Sequence, residues 1–163
     1  MVTQSAFDPQ SFLDAQITES NEKRPPIPTE NPDTPDGMYT ALIGEIKDTK
    51  SGTIGKGDRT GQPWLSVQVP LKLQLPQSVQ AMGLPAEFQL TDGVFIDLTP
   101  TGAVDNGKGK NARQRIYRDA TGTNVPGEPF AWRMLQGKVV KVKVTHETYN
   151  GGIVERVGMI LPA

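Results

Sequence analysis

The stretch Gly102-Ala-Val-Asp-Asn-Gly107-Lys108-Gly109 has the glycine and lysine spacing with which a loop wraps phosphate, and it falls between a predicted strand and a predicted helix. The chemistry fails at position 109, where Gly stands in place of the Ser or Thr hydroxyl that would hold Mg²⁺. Only 54 residues follow it, and they read as an antiparallel hairpin instead of further parallel units. The motif therefore predicts no nucleotide hydrolysis. His146 is the only histidine and there is no cysteine, so His-cluster metal sites, Cys-based metal sites and disulfides are excluded. In the expected hairpin His146 faces Glu155, a cross-strand polar pair with a structural role. The carboxylates of residues 37–163 have no repeated spacing. No catalytic residue, metal or cofactor is expected.

Cations and rings are the more informative side chains. Lys108, Lys110, Arg113, Arg115 and Arg118 crowd eleven positions, with helical spacing that aligns Lys110, Arg113 and Tyr117. Lys141 and Lys143 line the outward face of one strand. Lys47, Lys50, Lys56 and Arg59 surround a glycine-rich stretch with Trp64 at its exit, and Tyr149 stands beside the last turn. Cations along a track with exposed rings between them are what a single nucleic-acid strand needs, its phosphates neutralised and its bases stacked. The bland alternatives are a Trp64 that plugs a barrel end, a Tyr149 that packs on its own turn, and helix bases that are merely solvated.

The elements that would position these residues are strands. Gly137 to Glu147 alternates with period two, and Asn150-Gly151 supplies a two-residue turn in which both positions need φ > 0. Folding on that turn opposes Tyr149 to Gly152, Val144 to Val157, Val142 to Met159 and Val140 to Leu161. Trp64 to Leu75 alternates as clearly, with Leu65, Val67, Val69, Leu71 and Leu73 inward; Pro70, on the outward set, suggests an edge or a bulge. Met38–Lys47 and Gly93–Leu98 are two further strands, with Gly44 marking a bend in the first. Asp48 to Pro63 reads as a flexible loop, and Pro76 to Asp92 as an excursion with one helical turn around Val79 and Met82. Asn111 to Ala120 reads as a helix capped by Asn111, and Pro129 to Gln136 as a second short helix. Five strands with a helix between the third and fourth is the element order of an OB-fold barrel. The fold expected is thus mainly β, a five-stranded OB-fold-like barrel.

Composition divides the chain. Residues 1–36 carry seven acids against two bases, a net of −5, and the remainder holds 15 bases and 11 acids, +4. The first part reads as an arm. Asp8 and Pro9 start a short helix, Phe7 staples against Phe12, and Phe12, Leu13 and Ile17 form an apolar edge too narrow to stabilise a free helix. Residues 19–36, with five prolines, read as an extended linker. The expected division is an arm of residues 1–36, docking on its own body or a sister subunit, and a binding domain of residues 37–163. No run approaches the length of a membrane span and no signal peptide is legible, so a cytosolic location without membrane partners is expected.

The run from Gly37-Met-Tyr through Val94-Phe-Ile-Asp-Leu, Asp105-Asn-Gly-Lys-Gly-Lys-Asn111 and Gly137-Lys-Val-Val-Lys-Val-Lys-Val resembles the small OB-fold single-stranded-DNA-binding proteins of tailed bacteriophages. The resemblance implies a non-catalytic protein of the host-cell cytoplasm that protects or organises single-stranded DNA in phage replication or recombination. In an OB-fold the loops after strands one and four flank the binding face, so Lys47, Lys50, Lys56, Arg59, Trp64 and Tyr149 become its candidates, with Lys108, Lys110, Arg113, Lys141 and Lys143. That family carries an acidic tail at the C-terminus, whereas this chain ends Ile-Leu-Pro-Ala with its acids near the N-terminus. Two other classes fit the arm: a capsid-decorating virion protein, and an accessory protein that binds another protein through its sheet edge.

Overall fold

A computed structural model describes residues 8–163. It is mainly β: α1 Pro9–Asp14, β1 Tyr39–Ile43, β2 Asp48–Thr53, β3 Pro63–Gln74, α2 Gln77–Gln80, β4 Glu87–Ile96, α3 Ala112–Thr121, a 3₁₀ turn Trp132–Leu135, β5 Val139–Tyr149 and β6 Gly152–Pro162. The sheet runs β2-β3-β1-β5-β6, with β4 on the opposite edge of β3. This corrects the expected barrel in two respects. The described residues form six strands instead of five, and among them β4 and β6 approach each other without a hydrogen-bonded ladder to close the sheet.

The sixth strand comes from the stretch read as a loop. Residues 48–53 pair with Pro63–Gln68 of β3 although all six are exposed, so no burial pattern betrays them. β1 and β2 share one edge of β3 and part where Pro70 lacks a donor N–H; Gly44 N–H donates to the Pro70 carbonyl at 2.9 Å. The 3₁₀ segment fills the break: the Gln136 side-chain carbonyl accepts from the Ile46 amide at 2.8 Å, and the Arg133 Nε–H reaches the Ile46 carbonyl.

The hairpin forms on the expected turn, with φ 48° at Asn150 and 74° at Gly151, and pairs Tyr149 with Gly152 and Val144 with Val157. Beyond Val144 the register moves by one. Val142 faces Ile160 and Val140 faces Pro162, because Gly158 and Met159 together oppose Lys143. A Cβ at Gly158 would lie 2.9 Å from Thr145 Cγ2. The bulge leaves Met159 59 % exposed and buries Ile160 instead.

Val67, Val69, Leu71 and Leu73 of β3 meet Val94 and Ile96 of β4, Tyr117 of α3 and Val140, Val142 and Val144 of β5 in one core. Ile27 belongs to the same core, fully buried, and Tyr39 Oη donates to the Pro28 carbonyl at 2.8 Å. Residues 24–36 are thus a strap laid along β5 and β6, bearing on the body. The expected Phe7 staple lies outside the described residues. α1 forms with Asp8 Oδ1 accepting from the Gln10 amide, and buries none of its residues.

The seam between β4 and β6 is bridged by side chains. From α3, Arg113 donates through Nε and Nη2 to Asp92 Oδ2 on β4 (3.1 and 2.9 Å), and through Nη1 and Nη2 to the Gly158 and Val157 carbonyls on β6 (2.7 and 3.1 Å). Tyr117 Oη donates to the same carboxylate oxygen at 2.6 Å, and burial, then the Asp92 charge, push its phenol upward. From the strap, Arg24 chelates Glu155 of β6 (3.0 and 2.7 Å) and stacks over Phe88 of β4, 4.5 Å from the ring centre. Removing the Arg113 guanidinium leaves a carboxylate and two carbonyls poorly satisfied, a far larger loss than that of an exposed pair. Arg113→Ala should lower the unfolding free energy by about 2–4 kcal/mol. Arg115→Ala, which breaks only the exposed 3.8 Å pair with Asp119, should cost less than about 0.5 kcal/mol. Urea midpoints compare the two, and equal losses would show that Arg113 does not hold the seam.

Candidate nucleic-acid interface

Alternation on β3 sends Trp64, Ser66, Gln68, Pro70 and Lys72 to the outer face, and on β4 it sends Gln89, Thr91, Gly93 and Phe95 there. The register opposes Ser66 to Phe95, Gln68 to Gly93 and Pro70 to Thr91, while β2 adds Lys50 opposite Ser66 and Gly52 opposite Trp64. Trp64 and Phe95 are diagonal neighbours with ring centres 5.8 Å apart and planes inclined at 54°. Trp64 is half-buried and Phe95 is 68 % exposed. A Cβ at position 52 would stand 2.9 Å from the indole Nε1, so glycine there lets the indole lie across β2.

Beneath the rings the floor is polar. Ser66, 2 % exposed, accepts from Gln68 Nε2 at 2.7 Å. A groove of about 640 Å³ runs over this floor from Lys50 and Trp64 to Gly93 and Phe95, and reaches Arg156 on β6. It shares Gln68 and Thr91 with a second groove of about 320 Å³ lined by Lys47, Lys72 and Gln89. The nine-residue run from Trp64 to Lys72, eight steps along the strand, makes a track of about 27 Å. Glu45 and Asp48 line its far end.

Ion pairing sorts the expected cations. Lys141 is held by Asp36 at 3.0 Å and Lys143 by Glu30, both from the strap. The Met38 amide, then the Lys141 ammonium, hold the Asp36 carboxyl below its usual range. Burial and the nearby Glu30 charge push Tyr39 up to about 12. His146 does oppose Glu155, but its Nε2 donates to the Ile27 carbonyl at 2.6 Å while Glu155 is taken by Arg24. Arg113 lies in the seam and Arg118 over Phe130, 4.5 Å from its centre. Among the described residues Lys47, Lys50, Lys56, Arg59, Lys108 and Lys110 enter no ion pair. The first two line the track, and Lys56 and Arg59 lie on the 54–62 loop between β2 and β3. Lys108 and Lys110 lie on the loop before α3, and Tyr149, 64 % exposed, stands at the hairpin tip; none of these three lines the track.

Three amides of the loop resembling a phosphate cradle are engaged within the fold. The Gly107 N–H donates to Asp105 Oδ1, Lys110 N–H to the Gly107 carbonyl and Asn111 N–H to Asp97 Oδ2. Asn111 does not cap α3 with its side chain, contrary to expectation. It sits at φ 53°, accepts from the Asp97 amide at 2.7 Å and donates to the Asp105 carbonyl, tying the end of β4 to the loop. Among the described residues no three His, Asp or Glu side chains gather as a metal site would require, and no helix is long and apolar enough to cross a membrane.

Phe95 is the ring that sequence reasoning missed. The signal was present, because Val94 and Ile96 point inward and so must leave Phe95 outside. The chain matches no protein-family model and no curated protein sequence. Because both rings lie outside the core, Trp64→Ala and Phe95→Ala should each change stability by less than about 1 kcal/mol, whereas Tyr117→Ala should cost about 3–5 kcal/mol. Thermal or urea unfolding of the three variants checks this, and collapse of the Phe95 variant would make that ring a core residue.

Proposed function

We propose that this protein binds single-stranded DNA across the outer face of β2, β3 and β4, without catalysis, and that it protects or organises single strands in the replication or recombination of a bacteriophage genome. The observation that carries the reading is the Trp64–Phe95 pair: two rings on adjacent strands, outside the core, at the end of a polar track edged by Lys47 and Lys50. Rings of this kind accept any base, because every base has a π-face, and nearby ammonium groups neutralise the phosphates between stacked positions. Gln68 and Ser66 add donors and acceptors to the floor without forming a fixed code for one base. The OB-type plan belongs to the same reading, with β1 and β2 as halves of one interrupted strand, and the phage family resemblance supports it.

The unpaired cations Lys47, Lys50, Lys56 and Arg59 suggest about four neutralised phosphates, for which log affinity falls with log salt at a slope near −3. Titration of an oligothymidine should quench indole fluorescence with that slope. Trp64→Ala and Phe95→Ala should each weaken binding by about 1–3 kcal/mol. Salt-independent affinity, or both variants binding as the parent does, would overturn the reading. Equal affinity for the matching RNA would reassign the partner to single strands of either sugar.

A further inference from the structure

One outward position of β4 carries no side chain, and the fold does not call for that. Gly93 is exposed and its φ lies outside the left-handed region. The ladder with β3 runs through it without a shift, so no bulge needs it. A Cβ there would first meet the Gln68 amide at 3.5 Å, an ordinary contact. A β-branched residue would suit the strand better. A glycine inside a strand that neither bends nor bulges marks a place where a ligand or another backbone comes close.

The gap opens towards β6. Arg113 Nη2 takes both Asp92 Oδ2 and the Val157 carbonyl, which ties β4 and β6 side by side at this level. The residues next to those two, Gly93 and Arg156, line one groove with Trp64 and Phe95. Asp92 borders it as well, but its carboxylate is turned to Arg113 and Tyr117 and is only 14 % exposed. Arg156 is held by a single bond, from its Nε to Glu147 Oε2 at 2.7 Å. Among the described residues its two Nη groups make no hydrogen bond. Both side chains of the pair are more than half exposed, so the pair is screened by salt and easily exchanged. A phosphate offers the guanidinium two parallel acceptors where Glu147 gives it one.

On the footing of the interface proposed above, we infer that bound DNA leaves the rings over Gly93, crosses the seam and is held on β6 by a phosphate on Arg156, whose place Glu147 takes in the free protein. Glu147 then competes with the DNA for this exit contact. A cation already neutralised by a carboxylate gains little from counterion release, because the displaced Glu147 takes up a cation of its own. With Glu147→Gln, Arg156 meets the DNA as a free cation and counts as one more neutralised phosphate, about 0.7 in the salt slope.

Oligothymidine titrations over a range of salt, on full-length variants with Trp64→Ala beside them, test this. Arg156→Ala and Gly93→Val should each weaken binding several-fold, with urea midpoints near the parent's. Glu147→Gln should tighten binding several-fold and steepen the salt slope by about 0.7. On an Arg156→Ala background the same substitution should leave the slope unchanged and tighten binding far less. If Gly93→Val lowers the midpoint, Arg156→Ala and Glu147→Gln, both on exposed side chains, carry the test. Weakened binding by Trp64→Ala with parent-like binding by Arg156→Ala overturns the exit path alone, as does an equal Glu147→Gln gain on both backgrounds. Parent-like binding by Trp64→Ala and Phe95→Ala overturns the interface itself, and the exit path with it.

Discussion

One guanidinium stands where the sheet fails to close. The two edges of β4 and β6 would face each other with unpaired backbone groups, and Arg113 spans them, taking Asp92 on one side and two carbonyls on the other. Its planar fork suits this task in a way that a lysine ammonium does not, since four directed N–H groups serve three acceptors at once. The seam fixes the helix that carries it: Tyr117 is buried against the same Asp92, and Asn111 anchors the start of α3 to the end of β4. With its far edge so held, β4 keeps its register on β3, and that register brings Phe95 beside Trp64. The proposed binding face therefore depends on a contact on the other side of the same strand.

The strap redistributes charge as well as burying Ile27. The outward cations of β5 look available in the sequence, yet Glu30 and Asp36 occupy them. Exposed pairs of this kind contribute little to stability, but they decide which cations are left without a carboxylate partner. Cations without an ion pair among the described residues remain at Lys47, Lys50, Lys56 and Arg59, on the side of the rings, and at Lys108 and Lys110. The charge asymmetry between residues 1–36 and the remainder is thus partly cancelled within the fold, which leaves the arm's first four acids for other surfaces.

Much of this was legible. The Asn150-Gly151 turn follows from the need for φ > 0 at two successive positions, and the inward residues of β3 follow from strict alternation. The bulge at Gly158 was hidden because one extra residue leaves the hydrophobic pattern of both strands plausible in either register. β2 was hidden because six exposed polar residues have no periodicity, and it forms because β3 offers an unpaired edge. The strap was hidden because its apolar content is one isoleucine among prolines, Pro25-Pro26-Ile27-Pro28, enough to fill a core position but too little to form a pattern. Of the candidate cations, those whose partners lie more than a hundred residues away, Lys141 and Lys143, could not have been sorted without coordinates.

Amide and indole NMR spectra of the full-length protein, recorded with and without a short oligothymidine, would locate the bound strand on the sheet. The largest shifts should fall on Lys50, Gly52, Gln68, Gly93, Phe95 and the Trp64 indole N–H, with Lys141, Lys143 and Asn111 unmoved. Shifts centred on Lys108 to Lys110 or on the Lys141–Lys143 strand, with the Trp64 indole unchanged, would contradict binding across β2, β3 and β4.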